Sequence, residues 1–249
     1  MSKIIHPTAK VGEGTAVGEN TIISQGVNIG PGCQIGNGVI IHPDVTIGQN
    51  VRLDDHAVIG KQPMRAANSI MKAEDSLAPA VIADDCIIGT SVIIYTGCKI
   101  GQKVLVADYA SVRENTEIGD YTIVGRGVTV ENYCTVGRYC KLETESYITA
   151  YSVLEDRVFI APQVTTSNDN FVGRTEERFK HFKGITVKKG GRIGVGAVIL
   201  PGKVIGEDAL VAGGSLVADD VPPRKIVRGV PARVWRDVPE EQLLENQNW

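Results

Sequence analysis

Glu143 and Glu145, in the run KLETESYI, set two carboxylates one residue apart, and Glu143 is the first candidate to hold or deprotonate a basic group. A polar triplet, Arg113, Glu114 and Asn115, offers a guanidinium fork that suits phosphate oxygens; an ion pair between subunits would use the same groups. Tyr121, Tyr133, Tyr139 and Tyr151 either stack on a planar ligand or pack the surface. The four histidines are His6, His42, His56 and His181, with none between Ile59 and Lys180, so the middle of the chain holds no histidine set for zinc. Five cysteines, Cys33, Cys86, Cys98, Cys134 and Cys140, include no CxxC pair. An odd count without such a pair argues against a disulfide framework and a metal cluster, and reads as buried structural thiols.

The elements that position these groups follow from a six-residue beat. Aliphatics recur from Ile5 through Val11, Val17, Ile23 and onward to Ile59. They resume from Ile82 to Ile160, and again from Val187 to Val217. Neither a helix nor an ordinary strand has this period; it predicts a parallel β-helix of hexapeptide repeats. Three hexapeptides make one coil of a triangular prism, so residues eighteen apart stack about 4.8 Å from each other. Strand alternation turns the residue two before each aliphatic inward as well, and all five cysteines fall in that slot. Gly12, Gly18, Gly30, Gly36, Gly48 and Gly60 directly follow aliphatics, at corners where tolerance of unusual φ helps. Lys203 departs from the pattern by occupying an inward slot, so the strand either slips there or its side chain snorkels out.

The prediction is an all-β chain with a β-helix over 1–218, interrupted by loops near 60–80 and 168–184, and a capping tail over 219–249. The second loop, NDNFVGRTEERFKHFKG, mixes amides, charges and aromatics like a contact surface. In the tail, Pro222 and Pro223 stop strand pairing, and Pro239 is placed to begin a short helix. A net charge of −3 gives no sign of nucleic-acid or anionic-membrane binding. There is no long apolar run and no secretory signal pattern, so the expected location is the cytoplasm.

Longer motifs carry a resemblance. IHPTAKVGEGTAVG resembles the opening of many hexapeptide acyltransferases, and GRIGVGAVILPGKVIGEDALVAGGSLV followed by VRGVPAR is similar to the coenzyme A-binding end of hexapeptide acetyltransferases. The middle, ADYASVRENTEIGDYTIVGRGVTVEN and CKLETESYITAYSVLEDRVFIAPQVTTSNDNFVGRTEERFKHFKG, resembles N-acetyltransferases of dTDP-linked 3-amino-3,6-dideoxyhexoses. Looser is the likeness to enzymes acting on UDP-amino sugars. The resemblance implies a left-handed helix sense, a homotrimer with sites between neighbouring subunits, and acetyl-CoA as co-substrate without a metal. It implies direct attack of the sugar amine on the thioester.

Under the same resemblance the catalytic candidates are Glu143, Asn168 and Asp169. The acceptor would meet Arg113, Glu114, Asn115, Glu145, Arg174 and His181. Coenzyme A would lie along Gly194, Gly196, Ala197, Gly213 and Gly214, with Lys188, Lys189, Lys225 and Arg228 near its phosphates. Asn168 and Asp169 also suit a turn, and Glu143 also suits a solvated corner. With no histidines in the central coils, a γ-type carbonic anhydrase and the histidine-dependent lipid A acyltransferases lose ground. Another hexapeptide acyltransferase, such as one acting on tetrahydrodipicolinate, and a non-catalytic trimeric scaffold remain as alternatives.

Overall fold

The computed structural model describes residues 3–67 and 76–248. The centre of the first loop, 68–75, lies outside the described residues. Each hexapeptide folds as a two-residue strand ending on its aliphatic, as in Ile22–Ile23, Asn28–Ile29 and Gln34–Ile35. Strands pair in parallel with those eighteen residues on, Ile22 with Ile40 and Ile23 with Ile41. Among the described residues the result is three parallel sheets of eleven, ten and twelve strands, closed by one antiparallel hairpin. This β-solenoid is consistent with a left-handed β-helix of hexapeptide repeats.

The two inward slots fill the prism. Val39, Ile41, Val92, Ile94, Val112 and Leu142 are all fully buried within one continuous core. Burying each such aliphatic contributes roughly 1.5–3 kcal/mol. The cysteines are buried too, and desolvation pushes Cys98 and Cys134 up to about 12, and Cys86 and Cys140 to about 11. Such thiols stay protonated and behave as small core residues, as expected.

Of the corner glycines, Gly60, at φ +78°, has the unusual φ expected, whereas the others have a different reason. Gly18 has no positive φ; a Cβ there would lie 2.5 Å from the carbonyl oxygen of Gly36, so it is there to let successive coils approach. Left-handed backbone falls two residues later in the turn, at Asn20, Asp44, Asn50, His56 and onward every six. Lys203 is also settled. The ladder keeps register on both sides of it, its carbonyl accepting from Thr186 N–H, so the strand does not slip and the half-buried side chain leaves the prism.

Both breaks leave from one edge. The first exits after Val58–Lys61 in the first sheet and rejoins at Val81–Ile82 in the second. The second exits after Thr165–Thr166 in the first sheet and rejoins at Thr186–Val187 in the second. At the far end, Lys225–Gly229 adds to the third sheet and Ala232–Asp237 folds back upon it. The helix expected from Pro239 is reduced to two 3₁₀ turns, Glu240–Gln242 and Leu244–Asn246, so strands do most of the capping. Val238 and Leu243 bury against Ile226 as a small second cluster.

Candidate functional site

Between the two loops, the edge joining the first and second sheets carries a column of polar side chains. From the bottom it reads His42, Lys61, Tyr95, Arg113, Glu131 and Thr149, one per coil, because each follows the last core aliphatic of a first-sheet strand, Lys61 one residue late across a register shift at Gly60. The next residues, Thr96, Glu114, Asn132 and Ala150, form a second column and are buried. A glutamate therefore sits at a wholly buried corner. It persists because it is paired: Arg113 Nε donates to Glu114 Oε2 at 2.8 Å and Nη2 to Oε1 at 3.2 Å. Arg65, from the first loop, brings a second guanidinium to 3.6 Å. Arg113 also lies over the Tyr95 ring, 4.9 Å from its centroid.

Glu131 stands one coil above Arg113 in a different state. Arg113 Nη1 reaches it only at 3.5 Å. Burial pushes its carboxyl above the usual range, Arg113 pulls it back, and Glu114 pushes it up again. Beside it, the Asn132 side-chain nitrogen, Nδ2, is buried without a hydrogen-bond partner. Tyr147, on the outer face one coil above, has its hydroxyl pKa raised by burial and then by Glu131. Tyr133 and Tyr151 stack at this edge, ring centroids 5.3 Å apart, while Tyr121 and Tyr139 stack at the next edge, 4.8 Å apart. Both tyrosine pairs are packed on each other.

The structure divides the expected site residues among three edges. Arg113, Glu114, Asn115, Asn168, Asp169, Arg174 and His181 share the edge of the two loops. Glu143 and Glu145 do not: they lie between the third and first sheets, in the column of Gly194, Gly196, Ala197, Gly213 and Gly214. Glu145 is a left-handed turn residue paired to Arg126 at 3.2 Å, and Thr144 between the two glutamates is half-exposed rather than buried.

Asp169 is occupied. It accepts from the amides of Phe171 at 2.8 Å and Gly173 at 3.0 Å, and from Arg178 Nη1 at 3.0 Å. Burial would raise its pKa, but these three donors hold it below the ordinary value. Its oxygens fold the loop, which the Lys183 N–H closes onto the Asn168 carbonyl. Asp169→Ala is expected to speed tryptic cleavage within 168–184 severalfold and leave the solenoid's Tm nearly unchanged; equal cleavage rates would refute this role. His181 is turned onto Glu177 at 3.0 Å and stacks on Phe171.

The coenzyme residues separate likewise. Ala197 is in the core and lines no surface. Gly194 is packed against the coil above, whereas Gly196 and Gly214, at φ +64° and +67°, face open space. Lys188 pairs with Glu155 at 2.7 Å, Lys225 pairs with Asp237, and Arg228 lies 4.0 Å from the Trp235 ring centroid. The Lys189 backbone N–H donates to Glu155. Beneath the tail, a cavity of about 310 Å³ is lined by Tyr139, Lys141, Arg157, Phe159, Arg192 and Asp208. Arg192 donates to Gln242, but its Nε and Nη2 are buried without partners.

Arg65, Glu131, Asn132, Tyr147 and this cavity went unseen in the sequence. A signal for Glu131–Asn132 existed: the pair lies eighteen residues after Arg113–Glu114 and so must stack upon it. Among the described residues, no three His, Cys, Asp or Glu side chains converge on a metal-sized site, and no helix is long and apolar enough to cross a membrane.

Residues 26–61 and 97–132 match the family model for the bacterial transferase hexapeptide, six repeats. Over those stretches the chain carries the hexapeptide repeat of bacterial transferases. Among curated proteins, the galactoside O-acetyltransferase of Escherichia coli is 37% identical over 86 residues, 33% of this chain and 42% of that protein. The dTDP-3-amino-3,6-dideoxy-alpha-D-galactopyranose 3-N-acetyltransferase of Aneurinibacillus thermoaerophilus is 48% identical over 48 residues, 19% of this chain and 25% of that one. The chain thus spans less than half the length of these curated relatives. Among solved structures, the Arabidopsis UDP-N-acetylglucosamine acyltransferase superposes with a TM-score of 0.67 at 18% identity, covering 98% of this chain and 75% of that one. At that identity the likeness speaks for the fold alone.

Proposed function

We propose that the protein is an acetyl-CoA-dependent N-acetyltransferase whose acceptor is the amine of a nucleotide-linked 3-amino-3,6-dideoxy sugar, and that the amine attacks the thioester directly. The observation that carries this reading is the charged edge between the two loops, where Glu131 lies beside the sealed Arg65–Glu114–Arg113 cluster. A hydroxyl acceptor calls for a stronger base, such as a free imidazole, close to the reacting oxygen. On this edge His42 lies four coils below Glu131, and His181 is bound to Glu177. An amine needs only a carboxylate to orient it and receive its proton. The name of the Aneurinibacillus relative supports the nitrogen acceptor over the hydroxyl implied by the galactoside enzyme. In the cavity beneath the tail, Lys141, Arg157 and Arg192 outnumber the carboxylates Asp208 and Glu241, a balance that suits phosphate groups.

The working unit is a cytoplasmic homotrimer. The outer face of the first sheet is an apolar stripe of Ile4, Ile22, Ile40, Val58 and Ile93, whereas the second sheet shows Lys10, Asn28, Thr46, Val81 and Lys99, mostly polar. Such a stripe suits association of like copies, and a closed ring of three 26.7 kDa chains would run near 80 kDa, roughly.

The test is a thiol-release assay with acetyl-CoA against dTDP- and UDP-linked 3-amino and 4-amino sugars. Saturable turnover with a dTDP-3-amino sugar, at least about 1 s⁻¹, is the expected result. Coenzyme A binding with no turnover across the panel would discard the acceptor. Failure to bind coenzyme A would leave a trimeric scaffold.

A further inference from the structure

The cluster on the loop edge holds two carboxylates with unequal duties. Glu114 is fully enclosed, and both guanidinium groups of the cluster face it: Arg113 through two hydrogen bonds and Arg65 from the first loop. Glu131 is partly open, and Arg113 reaches it through a single contact at 3.5 Å, against the two shorter bonds that it gives Glu114. The titratable groups that face it are Arg113 and Glu114 from the coil below, Tyr147 from the coil above and the buried Cys134 thiol of its own turn. The Asn132 backbone N–H also donates to it, and with Arg113 at 3.5 Å this still leaves acceptor positions open on a carboxylate that faces outward, which makes it a site for a cationic donor. A sugar ammonium is such a donor.

We infer that Glu131 docks the acceptor's ammonium group and takes its proton before acyl transfer. This rests on the N-acetyltransferase reading above. The ammonium N–H bond breaks with the proton passing to a Glu131 oxygen, and the freed nitrogen pair attacks the thioester carbonyl carbon. A C–N bond forms, the tetrahedral adduct collapses, and the C–S bond breaks. The departing sulfur takes one remaining N–H proton to become a thiol. Glu131 returns its proton to water, so the sum is ammonium plus acetyl-CoA giving amide, thiol and one proton. Glu114, with Arg65 and Arg113, is the positioning device: by occupying both arginines it keeps Glu131 free to accept. The upward shift that burial gives Glu131 fits a group that must hold a proton transiently.

The experiment is the pH dependence of kcat/KM for the wild type, Glu131→Gln and Glu131→Asp with the best acceptor of the panel. Glu117→Gln, on the second sheet, serves as the exposed control. At pH 7 Glu131→Gln is expected to lose about 10²–10⁴-fold while Glu117→Gln is unchanged. The deficit should close as pH rises through the acceptor's own amine pKa, since a neutral amine no longer needs a proton acceptor. The wild type should lose activity on the acid side as Glu131 protonates, and Glu131→Gln should lack that limb. A deficit constant at every pH would mean a structural role and overturn the inference, as would wild-type rates in Glu131→Gln. Glu131→Asp, which keeps the charge but shortens the reach, should fall between the two and keep the acid limb; its absence would also overturn the inference. A wild type that releases no thiol with any amino sugar would fail the underlying reading instead.

Discussion

Replacing Glu114 by Ala should lower the solenoid's stability by about 3–5 kcal/mol, the usual cost of breaking a buried ion pair from one side. Two guanidinium groups would be left facing a corner without their counter-charge. An exposed pair supplies the contrast: Arg126→Ala, which breaks the contact with Glu145, should cost under about 1 kcal/mol. Urea midpoints with unchanged slope would measure both, and a loss below about 1 kcal/mol for Glu114→Ala would refute the account. A kinetic consequence accompanies it. Freed of Glu114, Arg113 can turn wholly to Glu131, so the acid limb of activity should move to lower pH.

The same cluster predicts a pH effect on stability. The folded-state pKa of Glu131 lies above its unfolded value near 4.5, so ionisation costs more in the fold than in the open chain. This penalty is present above the folded pKa and disappears as pH falls toward 4.5. Glu131→Gln should therefore equal or exceed the wild type in stability at pH 8, with the advantage vanishing in acid. A group that limits stability while serving chemistry is expected to show this sign.

Ile94→Ala is the other large effect, about 2–5 kcal/mol, from lost burial plus an unfilled cavity. Ile94 is fully buried and stacks between Ile59 and Val112. In a solenoid each coil rests on its neighbours, so the damage should spread along the stack before it reaches distant coils. Hydrogen exchange should show protection lost first around Ile59, Ile94 and Val112 and retained near Ile193. Uniform loss would show that the coils unfold as one. Because Tyr95 follows Ile94 and underlies Arg113, the variant should also lower turnover.

The fold was legible in the chain to an unusual depth, and the reason is geometric. A prism with six residues per side leaves one aliphatic and one small slot facing inward on every side. The period therefore names the core residues from Ile23 to Val217 and assigns each cysteine its place. The parallel register of eighteen follows from closure of the coil, and the breaks near 60–80 and 168–184 follow from loss of the beat.

What the period could not supply was the burial of polar side chains. Glu114 and Asn132 stand two residues after a core aliphatic and Glu143 one residue after, all of them at corners of the prism. Glu114 is buried where the first loop brings Arg65 across the corner, whereas Glu143 stands on an edge from which neither loop departs. Likewise Asp169 has the composition of a site residue, but two backbone amides and Arg178 converge on it only after the loop closes. The sequence by itself determined the coil, its core and the stacking of Glu131 upon Arg113. Tertiary structure alone decided which carboxylates are sealed, because that depends on loops and arginines whose approach no repeat encodes.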